Sequence, residues 1–236
     1  MTSTQPSTVE RQFPIPVRAV MIDLDGTMLD TVADLAAAVN LTLEKLGRAP
    51  LDEALVRTFV GKGIPHLVRR TLEASDRRAV NDADFDAALT TYLACYEQTN
   101  GRNTVVYPGV VDGLNAMREA GFPLACVTNK SERFTLPLLE QMQMRQYFSV
   151  IVAGDTLARK KPDPLPLTYA CEKLGVAASE MLMIGDSVND AVAARAAGCP
   201  VFCVPYGYNE GRDVRELDVD AIVTSLLEAV QLIIKS

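Results

Sequence analysis

The stretch Ala19-Val-Met-Ile-Asp-Leu-Asp-Gly-Thr-Met-Leu-Asp30 joins an apolar run to three aspartates. Residues 17–24 have the short apolar pattern of a buried strand, and Gly26 after them predicts a turn. An ionised carboxylate that is removed from water is costly unless a cation or hydrogen-bond donors meet it. We therefore expect the strand to end between Asp23 and Asp25, where positive charge meets the first carboxylate.

From residue 107 onward, strand and helix patterns alternate along the chain. Apolar runs at 122–128, 149–152, 181–184 and 201–204 predict strands, and segments with helical spacing, such as 188–197, separate them. Alternation over short connections is typical of a parallel sheet with helices on both faces. The predicted fold class is α/β, with a doubly wound parallel sheet as a Rossmann-like core.

Residues 32–100 differ from the rest because they show helical spacing and no convincing strand. We predict that this segment is an all-helical cap domain, inserted after the first strand and lying over the edge of the sheet. The expected division is a disordered tail at 1–14, core segments at 15–31 and 101–236, and the cap at 32–100.

Composition restricts the partners and the compartment. The 236-residue chain has a net charge of -7 and no run of basic residues, so neither nucleic acid nor a membrane surface is an expected partner. Five cysteines without a C-x-x-C pair argue against a disulfide framework or a zinc ribbon, and no signal peptide pattern is present. We expect a cytoplasmic protein, either a monomer or a weak dimer.

Polar residues follow four of the predicted strands, and the carboxyl ends of parallel strands are where such sheets bind ligands. These residues are Asp23 and Asp25; Thr128, Asn129 and Lys130; Lys160 and Lys161; and Asp186 and Asp190. The four aspartates could not all ionise in one pocket without a counter-charge, and oxygen ligands suit Mg²⁺. The hydroxyl, amide and ammonium groups are donors that a phosphoryl group needs. Together they predict metal-assisted phosphoryl transfer.

Four segments carry a family resemblance: DLDGTMLD at 23–30, VTNK at 127–130, KKPDP at 160–164 and GDSVND at 185–190. In this order they resemble the four motifs of the haloacid dehalogenase superfamily of aspartate-nucleophile phosphatases, and the helical segment resembles that family's cap.

The resemblance implies a role for each matching residue. Asp23 is the nucleophile, and Asp25 is the general acid and base. Mg²⁺ is held by the carboxylates of Asp23 and Asp186 and by the backbone carbonyl of Asp25, with Asp190 in the outer shell. The remaining implied roles concern the phosphoryl group: Thr128 and Asn129 hold its oxygens, and Lys161 offsets negative charge around the nucleophile.

Within the superfamily, the similarity is closest to bacterial 2-phosphoglycolate phosphatases. It covers VGKG at 60–63, YPGV at 107–110 and CPVFCVPYGYNEG at 199–211. It implies hydrolysis of 2-phosphoglycolate, with another small sugar phosphate or phosphorylated metabolite as the alternative. Lys62, between two glycines that join predicted cap helices, either meets the glycolate carboxylate or is simply solvated; both interpretations stay open.

A phospho-acceptor regulatory domain is the rival from a different functional class. Such a domain also combines an acidic pocket, Mg²⁺, a threonine and a lysine on a doubly wound sheet. It needs only about half of this length, and it has no use for the helical insertion or for an acid at Asp25.

Three further polar residues are assigned no chemistry. Asp30 is expected to be the N-cap of the following helix. Lys160 is expected to be the solvated member of the lysine pair, and His66, the sole histidine, is expected to be a surface or packing residue.

Overall fold

The computed structural model describes residues 12–76 and 80–236. In these ranges the chain forms ten strands: β1 (Ile15–Val17), β2 (Ala19–Ile22), β3 (Leu29–Asp30), β4 (Val105–Val106), β5 (Leu124–Val127), β6 (Val150–Val152), β7 (Met181–Gly185), β8 (Val201–Cys203), β9 (Ala221–Ile222) and β10 (Ile233–Lys235). The same ranges form nine α-helices: α1 (Val32–Lys45), α2 (Glu53–Arg57), α3 (Ile64–Ser75), α4 (Asp82–Thr99), α5 (Val110–Glu119), α6 (Glu132–Gln141), α7 (Leu165–Leu174), α8 (Val188–Ala197) and α9 (Leu226–Gln231). The tail predicted at 1–14 lies mostly outside the described residues, and Phe13 already packs on Phe202 with ring centroids 6.1 Å apart.

A six-stranded parallel sheet forms the centre of the molecule, in the order β6-β5-β2-β7-β8-β9. The side chains of Val20 and Ile22 join a buried cluster with α5 and α9 on one face. Those of Ala19 and Met21 join a second cluster with α7 and α8 on the other face. Helices on both faces explain why β2 is apolar at every position. The predicted doubly wound α/β fold is confirmed.

The predicted strands and helices of the core match the structure to within about two residues, which is the usual uncertainty of element ends. The helix at 188–197 is α8. The first strand ends earlier than predicted, because β2 stops at Ile22 and not between the two aspartates. Its register with β5 stops at Cys126, whereas the Asp23 N–H still donates to the Ile184 carbonyl at 2.9 Å. The backbone of Asp23 is therefore still held by β7.

Several short elements had no sequence signal. β1 and β10 pair in parallel and bring the two ends of the described chain together. β3 and β4 form a two-residue antiparallel pair. These short pairs lie outside the alternation of apolar runs and helices, and partners far along the chain stabilise them.

Helices α1–α4 lie between β3 and β4 and form the helical insertion, residues 32–99. No strand occurs in its described part, 32–76 and 80–99, as the sequence predicts. Its buried side chains form a cluster of their own, which also takes in Phe134 and Tyr208 from outside the insertion. Because β3 and β4 pair with each other, both connections to the insertion leave the core side by side. The limits of the insertion as a separate domain stay a prediction.

The cysteines and the helices give two further facts about the fold. Cys95, Cys126, Cys171, Cys199 and Cys203 are all buried and unpaired. Along the described ranges 12–76 and 80–236, no helix combines the length and the apolar character needed to cross a bilayer.

Asp34, in the first turn of α1, fixes the returning connection from α4 to β4. Its carboxylate is fully buried and accepts hydrogen bonds from the backbone N–H groups of Gly101 and Asn103, at 2.9 and 2.7 Å. The Asn103 amide and the Thr104 hydroxyl also donate to it, at 3.1 and 2.6 Å. A carboxylate with four donors is compensated for its burial. This side chain ties the start of the insertion to its end.

We predict that Asp34→Ala lowers the free energy of unfolding by about 2–4 kcal/mol, because four donors around a buried charge lose their acceptor. Urea unfolding followed by circular dichroism measures the change. Asp86→Ala, which removes an exposed carboxylate on α4, is the matched control and should change stability by no more than about 0.5 kcal/mol. Equal effects of the two substitutions would contradict the structural role of Asp34.

Candidate active site

The candidate site lies where β2 is flanked by β5 and β7, the point at which the sheet begins to grow in opposite directions. Asp23 follows β2, Thr128 follows β5 and Asp186 follows β7. Lys161 comes from the loop after β6. Because all these strands are parallel, their carboxyl ends meet at one edge, which is the usual ligand-binding edge of such a sheet.

Three carboxylates form the centre of the site. Asp23, Asp186 and Asp190 are all buried and each offers an oxygen atom within 4.8 Å of the others. Burial raises the pKa of Asp23 to about 7, with Asp190 and Asp25 adding to the shift and Lys161 opposing it. Burial likewise raises the pKa of Asp186 well above its ordinary value, and repulsion from Asp190 and Asp23 adds to that shift. A hard cation would relieve both effects, so the donor set fits a divalent metal ion.

Lys161 is the cation that the fold itself supplies to this cluster. Its ammonium lies 2.8 Å from Asp23 Oδ1 and 2.7 Å from Asp190 Oδ1, and it donates to the Val127 carbonyl at 2.6 Å. Burial alone lowers the pKa of Lys161, but attraction from Asp190 and Asp23 outweighs it and raises the pKa. Lys161 therefore stays charged, as its predicted role requires.

Asp190 accepts more hydrogen bonds from neighbouring groups than Asp23 or Asp186 does. Its Oδ2 accepts from the Asp186 N–H at 3.3 Å, the Ser187 N–H at 3.2 Å and the Ser187 hydroxyl at 2.8 Å. Asp190 and Ser187 form a capping box at the start of α8. Since Lys161 occupies Oδ1, a carboxylate held in this way orients the site and suits the predicted position behind the metal ligands.

The Asp186 carboxylate is enclosed by backbone. Side chains at Gly26 or Gly207 would bring a Cβ within 2.1 and 2.2 Å of Asp186 Oδ2. Gly26 also has a φ of 89°, which other residues rarely adopt. The Tyr208 N–H donates to the same carboxylate. The Thr27 hydroxyl donates to its other oxygen at 3.4 Å. Two glycines, one N–H and one hydroxyl therefore fix this predicted metal ligand.

Asp25 lies in a different environment from Asp23. It accepts a hydrogen bond from the Thr31 hydroxyl at 2.7 Å and pairs with the Lys130 ammonium at 3.1 Å. Its carboxylate does not belong to the group formed by Asp23, Asp186 and Asp190. The predicted contact of Asp25 with metal through its backbone carbonyl stays a prediction.

A pocket opens in front of the carboxylates. Its floor belongs to the core, with Thr128, Asn129, Lys130 and Lys161 beside the aspartates, and its roof is an apolar surface of the insertion formed by Leu35, Val60, Ile64 and Leu67. Thr128 is buried. The Asn129 amide nitrogen donates to the Gly61 and Lys161 carbonyls at 2.9 and 2.8 Å. For its predicted role on a phosphoryl oxygen, the Asn129 amide would have to release one of them.

The loop at Gly61–Gly63 lies over this pocket and corrects one prediction. Lys160 is half-buried and not simply solvated, because its ammonium donates to the Lys62 carbonyl at 2.7 Å. Burial lowers the pKa of Lys160. The Lys62 ammonium forms an ion pair with Glu210, and Lys62 is not among the residues that line the pocket. The structure therefore does not place Lys62 in the pocket lining, and its role in carboxylate recognition stays a prediction.

The start of α1 corrects a second prediction. Asp30 is not the N-cap, since the helix begins at Val32 and the Thr31 hydroxyl, which would cap it, bonds Asp25 instead. The Tyr208 hydroxyl is the nearest acceptor in its place: the Thr31 and Val32 N–H groups donate to it at 2.7 and 3.1 Å. The Val32 N–H also donates to Asp30 Oδ1, at the longer distance of 3.3 Å. The Tyr208 hydroxyl donates its own proton to Asp30 Oδ1.

The predicted assignment of His66 is consistent with its place. It lies half-buried on α3 and does not line the pocket. Burial lowers its pKa, and Lys62 and Arg70 lower it further.

Comparisons with known proteins identify the family. The sequence-family model for haloacid dehalogenase-like hydrolases matches residues 20–204 of this chain. The chain belongs to the haloacid dehalogenase-like hydrolase family. It is 56% identical over 225 residues to the phosphoglycolate phosphatase of Nitrosospira multiformis, covering 95% of this chain and 99% of that protein. The enzyme of the same name from Thiobacillus denitrificans is 49% identical over 226 residues, covering 96% and 100%.

A solved structure with a similar chain path supports the fold. The crystal structure of a predicted phosphoglycolate phosphatase from Haemophilus somnus has a TM-score of 0.86 and 30% identity to this chain. The alignment covers 89% of this chain and 95% of that one. The family resemblance inferred from the four motifs is thereby confirmed.

Sequence reasoning missed two residues of the site and one contact of a third. Lys130 was among the polar residues after β5, but its pairing with Asp25 was not predicted. Tyr96 and Tyr208 reach the site from α4 and from the loop after β8. Lys130 had a detectable signal, as a lysine at a strand end. The two tyrosines had none, because their contacts join residues 34 and 22 positions apart in the chain.

We predict that a divalent cation stabilises the protein more at pH 8 than at pH 5.5. Between the ordinary aspartate pKa and the raised value of about 7 for Asp23, the folded state holds more protons than the unfolded chain. The metal-free protein therefore loses stability as pH rises through this range. Replacing EDTA by MgCl₂ should raise Tm by about 5 °C at pH 8 and by less at pH 5.5.

The control for this measurement is Asp186→Asn, which keeps an acceptor for the Tyr208 N–H and removes one buried charge. Differential scanning fluorimetry should give this variant a metal-free Tm at pH 8 that is no lower than that of the wild type, and no shift with MgCl₂. A shift of wild-type size in the variant would refute the assignment of the cluster as the metal site.

Proposed function

We propose that the protein hydrolyses a small phosphate monoester with Mg²⁺ through an aspartyl-phosphate on Asp23, and that the substrate is 2-phosphoglycolate. The proposal draws on the site geometry and on the relatives from Nitrosospira multiformis and Thiobacillus denitrificans, which carry the name phosphoglycolate phosphatase. Another small sugar phosphate or phosphorylated metabolite is the alternative substrate.

The observation that carries the proposal is the separation of two aspartates that are two residues apart. Asp23 lies among buried carboxylates, 2.8 Å from the Lys161 ammonium. Asp25 faces Thr31 and Lys130 and stays outside that group. Pairs of acids in distinct environments are the usual basis of different roles in one reaction.

In the first step, a carboxylate oxygen of Asp23 bonds to phosphorus while the bond between phosphorus and the leaving oxygen breaks. Asp25, in its acid form, gives its proton to that oxygen, and the alcohol departs. The Lys161 ammonium offsets the negative charge that gathers around the nucleophile. Thr128 and Asn129 are the groups we propose to hold the phosphoryl oxygens.

In the second step, Asp25 accepts a proton from water. The water oxygen bonds to phosphorus, the bond to Asp23 breaks, and inorganic phosphate leaves. Asp23 returns to its carboxylate form and Asp25 to its acid form, so each turnover restores both groups.

The carboxylates of Asp23 and Asp186 would hold Mg²⁺, together with the backbone carbonyl of Asp25. The ion, when bound, supplies positive charge that neutralises phosphoryl oxygens and lowers repulsion toward the nucleophile. Asp190 would keep the ligands oriented through Lys161 and Ser187.

The helical insertion is proposed to act as a cap that excludes water from the phosphorylated enzyme. Its apolar roof over the pocket and the hydrogen bond from Asn129 to the Gly61 carbonyl, 2.9 Å long, support this role. We also propose the cytoplasm as the place of action, because five buried unpaired cysteines suit a reducing compartment. A phospho-acceptor domain without turnover is disfavoured by the insertion and by Asp25.

We predict that Asp23→Asn abolishes turnover of 2-phosphoglycolate while the fold persists, because the amide cannot act as the nucleophile. Phosphate release, thermal stability and mass spectrometry of acid-quenched protein test this. The wild type should show a phosphoryl adduct on Asp23, and the variant should show none. Steady-state hydrolysis retained by Asp23→Asn would rule out the mechanism.

We predict that Asp25→Asn reduces kcat for 2-phosphoglycolate by about 10²–10⁴-fold, the usual range for losing a general acid or base. An aryl phosphate with a good leaving group needs no proton, so the variant should give a rapid burst of phenol followed by slow turnover. An Asp25→Asn enzyme without any loss on 2-phosphoglycolate would remove Asp25 from its assigned role.

A further inference from the structure

Two cationic side chains line the pocket in the described part of the chain, Lys130 and Lys161. Lys161 is fully engaged, since its ammonium contacts Asp23, Asp190 and the Val127 carbonyl. Lys130 has one carboxylate neighbour, Asp25, and its side chain is 3% exposed. A buried ammonium beside a substrate pocket is a natural site for an anionic group of the ligand.

Tyr96 adds a second donor at the same place. Its hydroxyl lies in contact with the Lys130 ammonium, which also lies 4.9 Å from the centroid of the Tyr96 ring. Burial raises the pKa of Tyr96 well above its ordinary value, so the phenol is neutral. A phenol that accepts a hydrogen bond from an ammonium keeps its own proton for an acceptor. Lys130 comes from the core and Tyr96 from the insertion, so the pair spans the gap between them.

The chemistry of the proposed substrate makes this pair reachable. In 2-phosphoglycolate the carboxylate carbon is two bonds from the oxygen that leaves phosphorus. Asp25 is assigned to that oxygen, and the Lys130 ammonium is 3.1 Å from Asp25 Oδ1. A carboxylate two bonds beyond the leaving oxygen is therefore within reach of the Lys130 ammonium.

We propose that the Lys130 ammonium and the Tyr96 hydroxyl bind the carboxylate of the leaving group and make the enzyme selective for phosphate esters of 2-hydroxy acids. The inference rests on the proposed function and gives it a specificity site. It also replaces Lys62 as the recognition residue, since the Lys62 ammonium is paired with Glu210 outside the pocket lining.

The test compares two substrates that differ only in the group to be recognised. 2-Phosphoglycolate carries a carboxylate where 2-hydroxyethyl phosphate carries a neutral hydroxymethyl group. The selectivity ratio is kcat/KM for the first divided by kcat/KM for the second. Because both release an alkyl alcohol, damage to Asp25 or to the fold lowers both rates and leaves the ratio unchanged.

Lys130→Met should lower the selectivity ratio by about tenfold to a hundredfold, the effect of losing one charged hydrogen bond. The loss should reside mainly in KM for 2-phosphoglycolate. Tyr96→Phe, which keeps the ring and removes the hydroxyl, should lower the ratio by about threefold to tenfold. It serves as the deciding variant if Lys130→Met fails to fold.

Lys62→Met and Lys160→Met are the matched lysine controls and should leave the ratio within about twofold of the wild type. Equal loss on both substrates in Lys130→Met, with an unchanged ratio in Tyr96→Phe, would overturn the site and leave Lys130 as a neighbour that only positions Asp25. A collapse of the ratio in Lys62→Met would overturn it in favour of Lys62. A wild-type ratio near one would contradict the proposed substrate itself, which separates that failure from a failure of the site.

Discussion

Mutual repulsion of the buried carboxylates of Asp23, Asp186 and Asp190 is the constraint that shapes the rest of the structure. Three like charges cannot share a dry site unless cations and donors surround them. One cation is built in, because Lys161 bridges Asp23 and Asp190. Backbone N–H groups donate to Oδ2 of Asp186 and to Oδ2 of Asp190. Gly26 and Gly207 give the chain room to approach Asp186. The remaining imbalance is what makes a divalent cation a complement to this site.

The same constraint connects the core to the insertion. The loop after β8 places the Tyr208 N–H on Asp186, and the Tyr208 hydroxyl receives the first N–H groups of α1. Arg57 of α2 stacks on that ring at 4.7 Å and donates to the Tyr206 carbonyl at 3.1 Å. Tyr208 thus holds a predicted metal ligand with its backbone N–H and the start of the insertion with its side-chain hydroxyl. A displacement of the insertion would therefore reach Asp186 through Tyr208, even with no substrate bound.

The sequence predicted the features that depend on local pattern. β5 and β7 are continuous apolar runs and α8 is an alanine-rich segment. The aspartates beside such runs stand out because a buried charge is costly. Features that depend on distant partners were missed or placed wrongly. Asp30 is of a residue type that is favoured at the N-cap, yet Thr31 and Tyr208 determine how α1 begins. Lys160 has the sequence context of a surface lysine, yet its ammonium donates a hydrogen bond to the Lys62 carbonyl. Such outcomes are set by tertiary contacts, for which a single sequence has no signal.

Recognition by residues on both sides of the pocket has a physical advantage over recognition by the insertion alone. A partly exposed lysine, such as Lys62 in its ion pair with Glu210, would have to give up its hydration when it binds the substrate carboxylate. Lys130 is already desolvated and is oriented by Asp25 and Tyr96, and little reorganisation is then needed when an anion arrives. Because Tyr96 belongs to the insertion, a carboxylate bound by the pair would also draw the insertion onto the core. Selection of the leaving group and exclusion of water would then depend on the same contact.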